Sequence, residues 1–357
     1  MAISSSVRVL GSWPACFGTP GFVALVSTAI AQGVWARVDA AGCHAHAGLV
    51  ITPACVVGSV GMPPSKNEVR AFRDITYYEV RDDPEAARHK LDVYRPTGKG
   101  PYPVVLFLHG GGWVAGSKDD VFGTYGYGTI ARYLAGRGLV VVLPNYRLSP
   151  GVRHPEHVKD VARAFDWAHR QCKDYGGDPK QLFVGGHSAG GHLAALLATD
   201  PTYLKEVGRT DKDIRGVICV SGVYRVDDFD LKLNLTGARG AMQLKMDVRP
   251  SALVFGDDPE VLRKASPLTL VRPGLPPFLI LSAGFDYPPM RRMAKEFAAA
   301  LEKTGCDVQA KEIPWRTHET VLFDIQRLSV DRATAEAITE FIDRKKSKAA
   351  GEKKAGK

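Results

Sequence analysis

The sequence predicts an α/β fold, a mostly parallel central sheet with helices on both faces and a small lid insertion. Three observations carry that expectation. Short continuous apolar runs at 103–108, 181–184 and 277–284 have the composition of strands buried on both faces. Longer helix-forming stretches separate them, the alternation expected of parallel strands joined by crossover helices. The runs end in glycine or small polar clusters, where the chain must turn at a sheet edge.

Taken in order, Asp74-Ile75-Thr76-Tyr77-Tyr78 and Lys90-Leu91-Asp92-Val93-Tyr94 form an initial pair of β segments, rich in β-branched and aromatic side chains. The strand at 103–108 follows, then a helix near 123–137, a strand ahead of Asn145 and a helix near 154–175. The strand at 181–184 leads into an Ala- and Leu-rich helix at 189–199. A strand at 277–284, a helix at 288–304, a strand at 308–313 and a helix at 331–345 complete one domain over 66–345. Residues 223–275 break the alternation, with a polar stretch from Asp227-Asp228-Phe229-Asp230 through Met246 and weak periodicity before the next strand resumes at Pro276. We read them as a lid or acyl-pocket wall, with Tyr224, Phe229, Leu233, Met242 and Phe255 as candidate lining. The other reading is a connection whose aromatics pack on the sheet.

Gly186-His187-Ser188-Ala189-Gly190 closes the 181–184 run and is the most informative segment of the chain. A serine on a tight strand-to-helix turn carries its hydroxyl above the sheet edge, and only small neighbours tolerate the close approach of strand and helix. The following helix points its free amides and positive dipole end at the same place. An ordinary serine in a glycine-rich turn would share the pattern, but a second motif weighs against it. The 103–108 run ends in His109-Gly110-Gly111-Gly112-Trp113, and three successive glycines expose backbone amides. Amides aimed at the oxygen that gains negative charge in acyl transfer contribute on the order of 3 kcal/mol each. Gly111, Gly112 and Ala189 are the expected oxyanion hole, with His109 holding the loop.

The remaining partners should follow the serine in the order acid, histidine, each just after a strand. Phe285-Asp286 ends the 277–284 run, and Pro314-Trp315-Arg316-Thr317-His318 follows the 308–313 run. Ser188 is therefore expected as nucleophile, His318 as general base and then acid, and Asp286 as the carboxylate that orients the imidazole.

These motifs resemble those of the α/β-hydrolase superfamily, in the esterase branch with an H-G-G-G loop, close to the hormone-sensitive-lipase-like esterases. The likeness covers residues 66–345 and takes in Asn145-Tyr146-Arg147-Leu148-Ser149-Pro150, the helix segment Asp160-Val161-Ala162-Arg163-Ala164-Phe165-Asp166-Trp167, and Gly176-Gly177-Asp178-Pro179. His187 stands where many lipase-like members have Asp, and Trp113 where Phe or Tyr is also common. Both are closer to the small-ester, arylformamidase and isoprenylcysteine methylesterase relatives. The resemblance implies a serine carboxylic-ester hydrolase acting on small to medium acyl esters, with no cofactor. Arylformamidase activity is the alternative on the same residues. A non-catalytic ligand receptor on this fold is a further one, and the presence of His318 weighs against it.

The two ends differ in kind from the domain. Residues 1–60 hold only Arg8, Arg37 and Asp39 as charged side chains. Their apolar run at 21–31 resembles a short signal-peptide core, too short to span a bilayer. Residues 1–65 are read as a signal-type or disordered extension, which leaves location open between the cytoplasm and export. Residues 346–357 are read as a basic, disordered tail. Between Arg344 and Lys357 seven cations face Glu352 alone, so most of the net charge of +9 sits at the C-terminus and does not argue for nucleic acid. The expected partner is a small-molecule ester, with no stable membrane insertion and an open oligomeric state.

No metal or nucleotide site is expected. His154-Pro155-Glu156-His157 lacks a third ligand nearby and opens a helix. Gly126-Tyr127-Gly128 follows no strand directly, and no acidic residue stands at the distance a dinucleotide site requires. The six cysteines show no paired spacing, and Cys172, Cys219 and Cys306 are expected to pack as small apolar groups or sit free.

Overall fold

The computed structural model describes residues 67–80, 83–119, 126–227, 231–236, 243–248, 250–324 and 329–355. The expectation for residues 1–65 lies outside them. Eight strands form one sheet: β1 (Val69–Thr76), β2 (Lys90–Pro96), β3 (Tyr102–Leu108), β4 (Val140–Pro144), β5 (Gly177–His187), β6 (Gly216–Val220), β7 (Phe278–Phe285) and β8 (Val308–Thr317). Their spatial order is β1-β2-β4-β3-β5-β6-β7-β8. The β1/β2 and β2/β4 pairs are antiparallel and every other pair is parallel.

The apolar runs are continuous because both faces of the sheet are covered. Val105, Phe107, Val141, Leu143, Phe183, Ile218 and Leu279 pack on one side with α1 (Tyr127–Ala135) and the last helix. Val104, Leu106, Val140, Val142, Leu182, Val184, Val217 and Ile280 pack on the other with α2 (Glu156–Gln171), α3 (Ala189–Thr199) and α4 (Pro288–Lys303). Neighbours along each strand fall in opposite layers, as a period of two dictates. Glu156 in the first turn of α2 and Arg170 in its last complement the helix dipole. Two prolines open α4, where the missing N–H groups cost nothing.

Some boundaries differ from expectation. α1 starts at Tyr127, because Gly126 before it is extended at φ −87°, ψ 157°; residues 120–125 lie outside the described set. β5 begins at Gly177, earlier than the apolar run, because its first residues reach the edge of β3: the Tyr102 amide donates to Gly176 O at 2.9 Å. The final helix, α5 (Arg332–Ala355), runs past the expected domain end at 345 where a disordered tail was expected. Ala and Lys dominate that stretch and favour helix.

Within 223–275, Leu231–Thr236 and Gln243–Val248 pair as a two-stranded sheet. Of the expected lining residues, Phe229 and Met242 lie outside the described residues, and Leu233 falls on the first of these two strands. Tyr224 and Phe255 are core groups: Tyr224 stacks on Phe297 with centroids 4.4 Å apart, and Phe255 meets Trp113 edge to face at 5.1 Å. Cys172 and Cys219 are buried and free, and Cys306 is half-buried and free. Among the described residues no helix is long and apolar enough to cross a membrane.

Candidate active site

The parallel strands β3, β5, β7 and β8 all point their C-terminal ends to one sheet edge, and each delivers one part of the expected site there. Leu108 of β3 is in register with Gly186 of β5, so the His109–Gly112 loop emerges beside Ser188. Thr317 of β8 is in register with Phe285 of β7, beyond an irregularity after Ile313. Asp286 and His318 are therefore the first residues past the ends of two neighbouring strands.

Ser188 sits between β5 and α3 at φ 54°, ψ −119°, a conformation costly for a residue with a side chain. Its surroundings hold it there. Its amide donates to Val220 O at 2.9 Å and its carbonyl accepts the His192 amide at 3.0 Å. The flanking glycines are required by space: a Cβ on Gly190 would meet Leu108 O at 2.3 Å, and one on Gly186 would meet the Gly190 carbonyl carbon at 2.5 Å.

The three expected catalytic residues come together. Ser188 Oγ lies 2.8 Å from His318 Nε2, and His318 Nδ1 lies 2.8 Å from Asp286 Oδ1. Oδ1 also accepts the Tyr287 amide at 2.9 Å. Burial works to raise the Asp286 pKa, but the hydrogen bond and charge of His318 outweigh it, and the carboxyl is held below its ordinary value. For His318 burial favours the neutral ring, yet the hydrogen bond and charge of Asp286 prevail and its pKa is raised. The buried carboxylate fixes the proton on Nδ1, which leaves Nε2 facing the serine as an acceptor.

The glycine loop lies against the serine, since a Cβ on Gly110 would fall 3.1 Å from Ser188 Cβ. Gly111 takes φ +114°, and a Cβ there would meet Ala115 O at 2.2 Å. The Gly111 carbonyl accepts the Val114 and Ala115 amides, which curls the loop. Ala189 is the first residue of α3, so its N–H belongs to the helix's free first turn. His109 is held in place, buried and stacked on Tyr146 at 4.2 Å, with its pKa pushed down to about 3 by burial.

Sequence reasoning missed the groups that hold this loop. The Trp113 indole N–H donates to His192 Nδ1 at 3.1 Å, and His192 Nε2 donates to Ala265 O at 2.8 Å, tying the loop to α3. Tyr146 Oη donates to His109 O at 3.0 Å. The one available signal was that Trp113 and Tyr146 fall inside motifs already singled out. His157, in the rejected metal pair, has Nε2 3.1 Å from Ser149 Oγ.

The strand order, the two-sided helical cover and the turn at Ser188 define an α/β-hydrolase. The chain belongs to the BD-FAE family, whose model matches residues 91–298. Esterase LipC of Mycobacterium tuberculosis is 34% identical over 271 residues, covering 73% of this chain and 63% of that protein. A kynurenine formamidase of Danio rerio is 28% identical over 264 residues, 73% of this chain and 79% of that one. Among solved structures, esterase B from Lactobacillus rhamnosis superposes with a TM-score of 0.62 at 20% identity, covering 82% of this chain and 89% of that one, a likeness of fold. The chain spans less than two thirds of the length of the mycobacterial esterases it matches.

Proposed function

We propose that the protein hydrolyses carboxylic esters of small to medium acyl chain length through an acyl-enzyme on Ser188. The observation that carries this reading is the unbroken hydrogen-bonded line from Ser188 Oγ through His318 to Asp286. Ser188 Oγ attacks the ester carbonyl carbon as its proton passes to His318 Nε2, and the ionised Asp286 stabilises the imidazolium so formed. The amides of Gly111, Gly112 and Ala189 are assigned to the carbonyl oxygen as it becomes an anion. Collapse breaks the bond to the alcohol, which leaves with the proton from His318. Water then repeats the sequence on the acyl-enzyme, releasing the acid and restoring Ser188. Every step uses groups of the chain and water, with no cofactor, and the partner is a small ester.

A formamide substrate is the second reading, favoured by the similarity to a kynurenine formamidase. The same serine and histidine would cleave the C–N bond, with His318 donating its proton to the leaving amine. Hydrolysis of p-nitrophenyl esters over a series of acyl lengths, beside an N-formyl aromatic amide, decides between them. Turnover highest on short and medium esters is expected. A preference for the formamide, or for long chains, would overturn the ester assignment as stated.

A further inference from the structure

His187 stands between the glycine loop and the catalytic-histidine loop, and its hydrogen bonds resolve into one direction. Its Nε2 lies 2.8 Å from the backbone carbonyl of His318. A carbonyl oxygen can only accept, so Nε2 carries the proton. Burial keeps the ring neutral, with its pKa pushed down to about 3. Nδ1 is then an acceptor, and the group facing it at 3.1 Å is the hydroxyl of Tyr127. Tyr127 must donate that proton, which leaves its oxygen lone pairs to accept the Gly110 amide at 2.7 Å. The chain runs Gly110 N–H to Tyr127 Oη–H to His187 Nδ1, and His187 Nε2–H to His318 O, with each donor matched to an acceptor.

We propose that Tyr127 and His187 are positioning residues that set the distance between the oxyanion loop and the general base. The inference rests on the serine-hydrolase reading above. Gly110 is the root of the loop, and a Cβ there would lie 3.0 Å from Tyr127 Oη as well as against Ser188. At the other end the hydrogen bond holds the backbone of His318 itself, and the two imidazole rings lie 4.9 Å apart. The Tyr127 and His187 side chains are buried, so water cannot readily replace a missing partner between them. The transition state needs the amides and Nε2 placed together about Ser188, and a misplacement of about 1 Å can cost on the order of 100-fold in rate. Tyr127 and His187 touch no reacting atom and act through the groups they hold.

The test compares wild type with Tyr127→Phe, His187→Phe, the double variant, His187→Gln and Ser188→Ala, on p-nitrophenyl acetate and phenyl acetate. Active-site titration with a fluorophosphonate corrects each rate for the competent fraction. Tyr127→Phe and His187→Phe are expected to lower kcat about 10- to 100-fold with KM nearly unchanged. The double variant falls no further than the worse single one, because the two side chains act as one unit. The loss is larger on phenyl acetate, whose poorer leaving group depends on the proton from His318. His187→Gln, whose amide can donate to the His318 carbonyl, recovers part of the loss. Ser188-dependent activity with unchanged kcat in Tyr127→Phe and His187→Phe would overturn this inference alone. So would equal losses on both esters with no recovery in His187→Gln, the mark of a purely structural role. Full activity in Ser188→Ala would overturn the serine reading, and this inference with it.

Discussion

His318 Nε2 lies 2.8 Å from Ser188 Oγ, although 130 residues of chain separate the two. Strand register closes that separation. His318 follows Thr317 on β8, Asp286 follows Phe285 on β7, and Ser188 follows His187, whose strand pairs with β6 and so reaches β7. The sheet is the ruler that sets these three side chains, and a strained turn at Ser188 completes the approach.

Because Asp286 raises the pKa of His318, the pH dependence of catalysis should report it. The base must be neutral, so kcat/KM should rise with pH through an apparent pKa above the ordinary 6.5 of histidine. In Asp286→Asn the main raising partner is gone while burial and the weaker pull of Glu319 remain, which moves that limb to lower pH. The maximal rate should also fall by about 10⁴, since the proton is no longer held on Nδ1. A limb that stays in place in the variant would contradict the assignment of Asp286.

The turn that carries Ser188 depends on Gly190, where a Cβ would sit 2.3 Å from Leu108 O. That oxygen belongs to β3 and cannot swing aside. Gly190→Ala should lower stability by about 1 to 3 kcal/mol or more, with activity lost alongside. Urea unfolding monitored by tryptophan fluorescence checks this, and a wild-type midpoint would show that strand and helix are less closely apposed.

Asp160 anchors the loop that follows β4 and is fully buried. Its carboxylate accepts Arg147 Nε and Nη2, each at 2.9 Å, and Arg163 Nη1 at 2.6 Å. Burial would raise its pKa, but His89 and Arg147 overcome this and hold it well below the ordinary 3.8. A depressed folded-state pKa contributes stability that is present above the unfolded value and lost as pH falls through the folded one. Asp160→Ala should therefore destabilise by about 3 to 5 kcal/mol at neutral pH, by leaving a buried guanidinium without its main partner. The gap from wild type should narrow as pH drops below about 3.8. Denaturation midpoints at pH 7 and pH 3 measure both effects, and an equal gap at the two would refute the ion-pair account.

What the sequence made legible was what is local. The apolar runs, the small residues around Ser188 and the order of Asp286 and His318 were readable along the chain; β3 ended where its run ended, while β5 and β8 ran on past theirs to His187 and Thr317. The Tyr127–His187 hydrogen bond joins residues 60 apart on a helix and a strand, and no period or spacing announces such a pair. The His192–Trp113 bond was hidden for the same reason, although both residues flank glycines that drew attention. Helix α5 passed its expected end because charge suggested a solvated tail while Ala and Lys propensity continued the helix. Tyr224 and Phe255 looked like pocket lining by composition, and the core claimed them.

The central claim is that Ser188 is the nucleophile, and hydrolysis of p-nitrophenyl butyrate by wild type and Ser188→Ala, purified and assayed together, tests it most directly. Wild type should turn the ester over while the variant, with an unchanged melting temperature, loses about 10⁴-fold or more in kcat. A folded Ser188→Ala protein that keeps most of the wild-type rate would contradict the account.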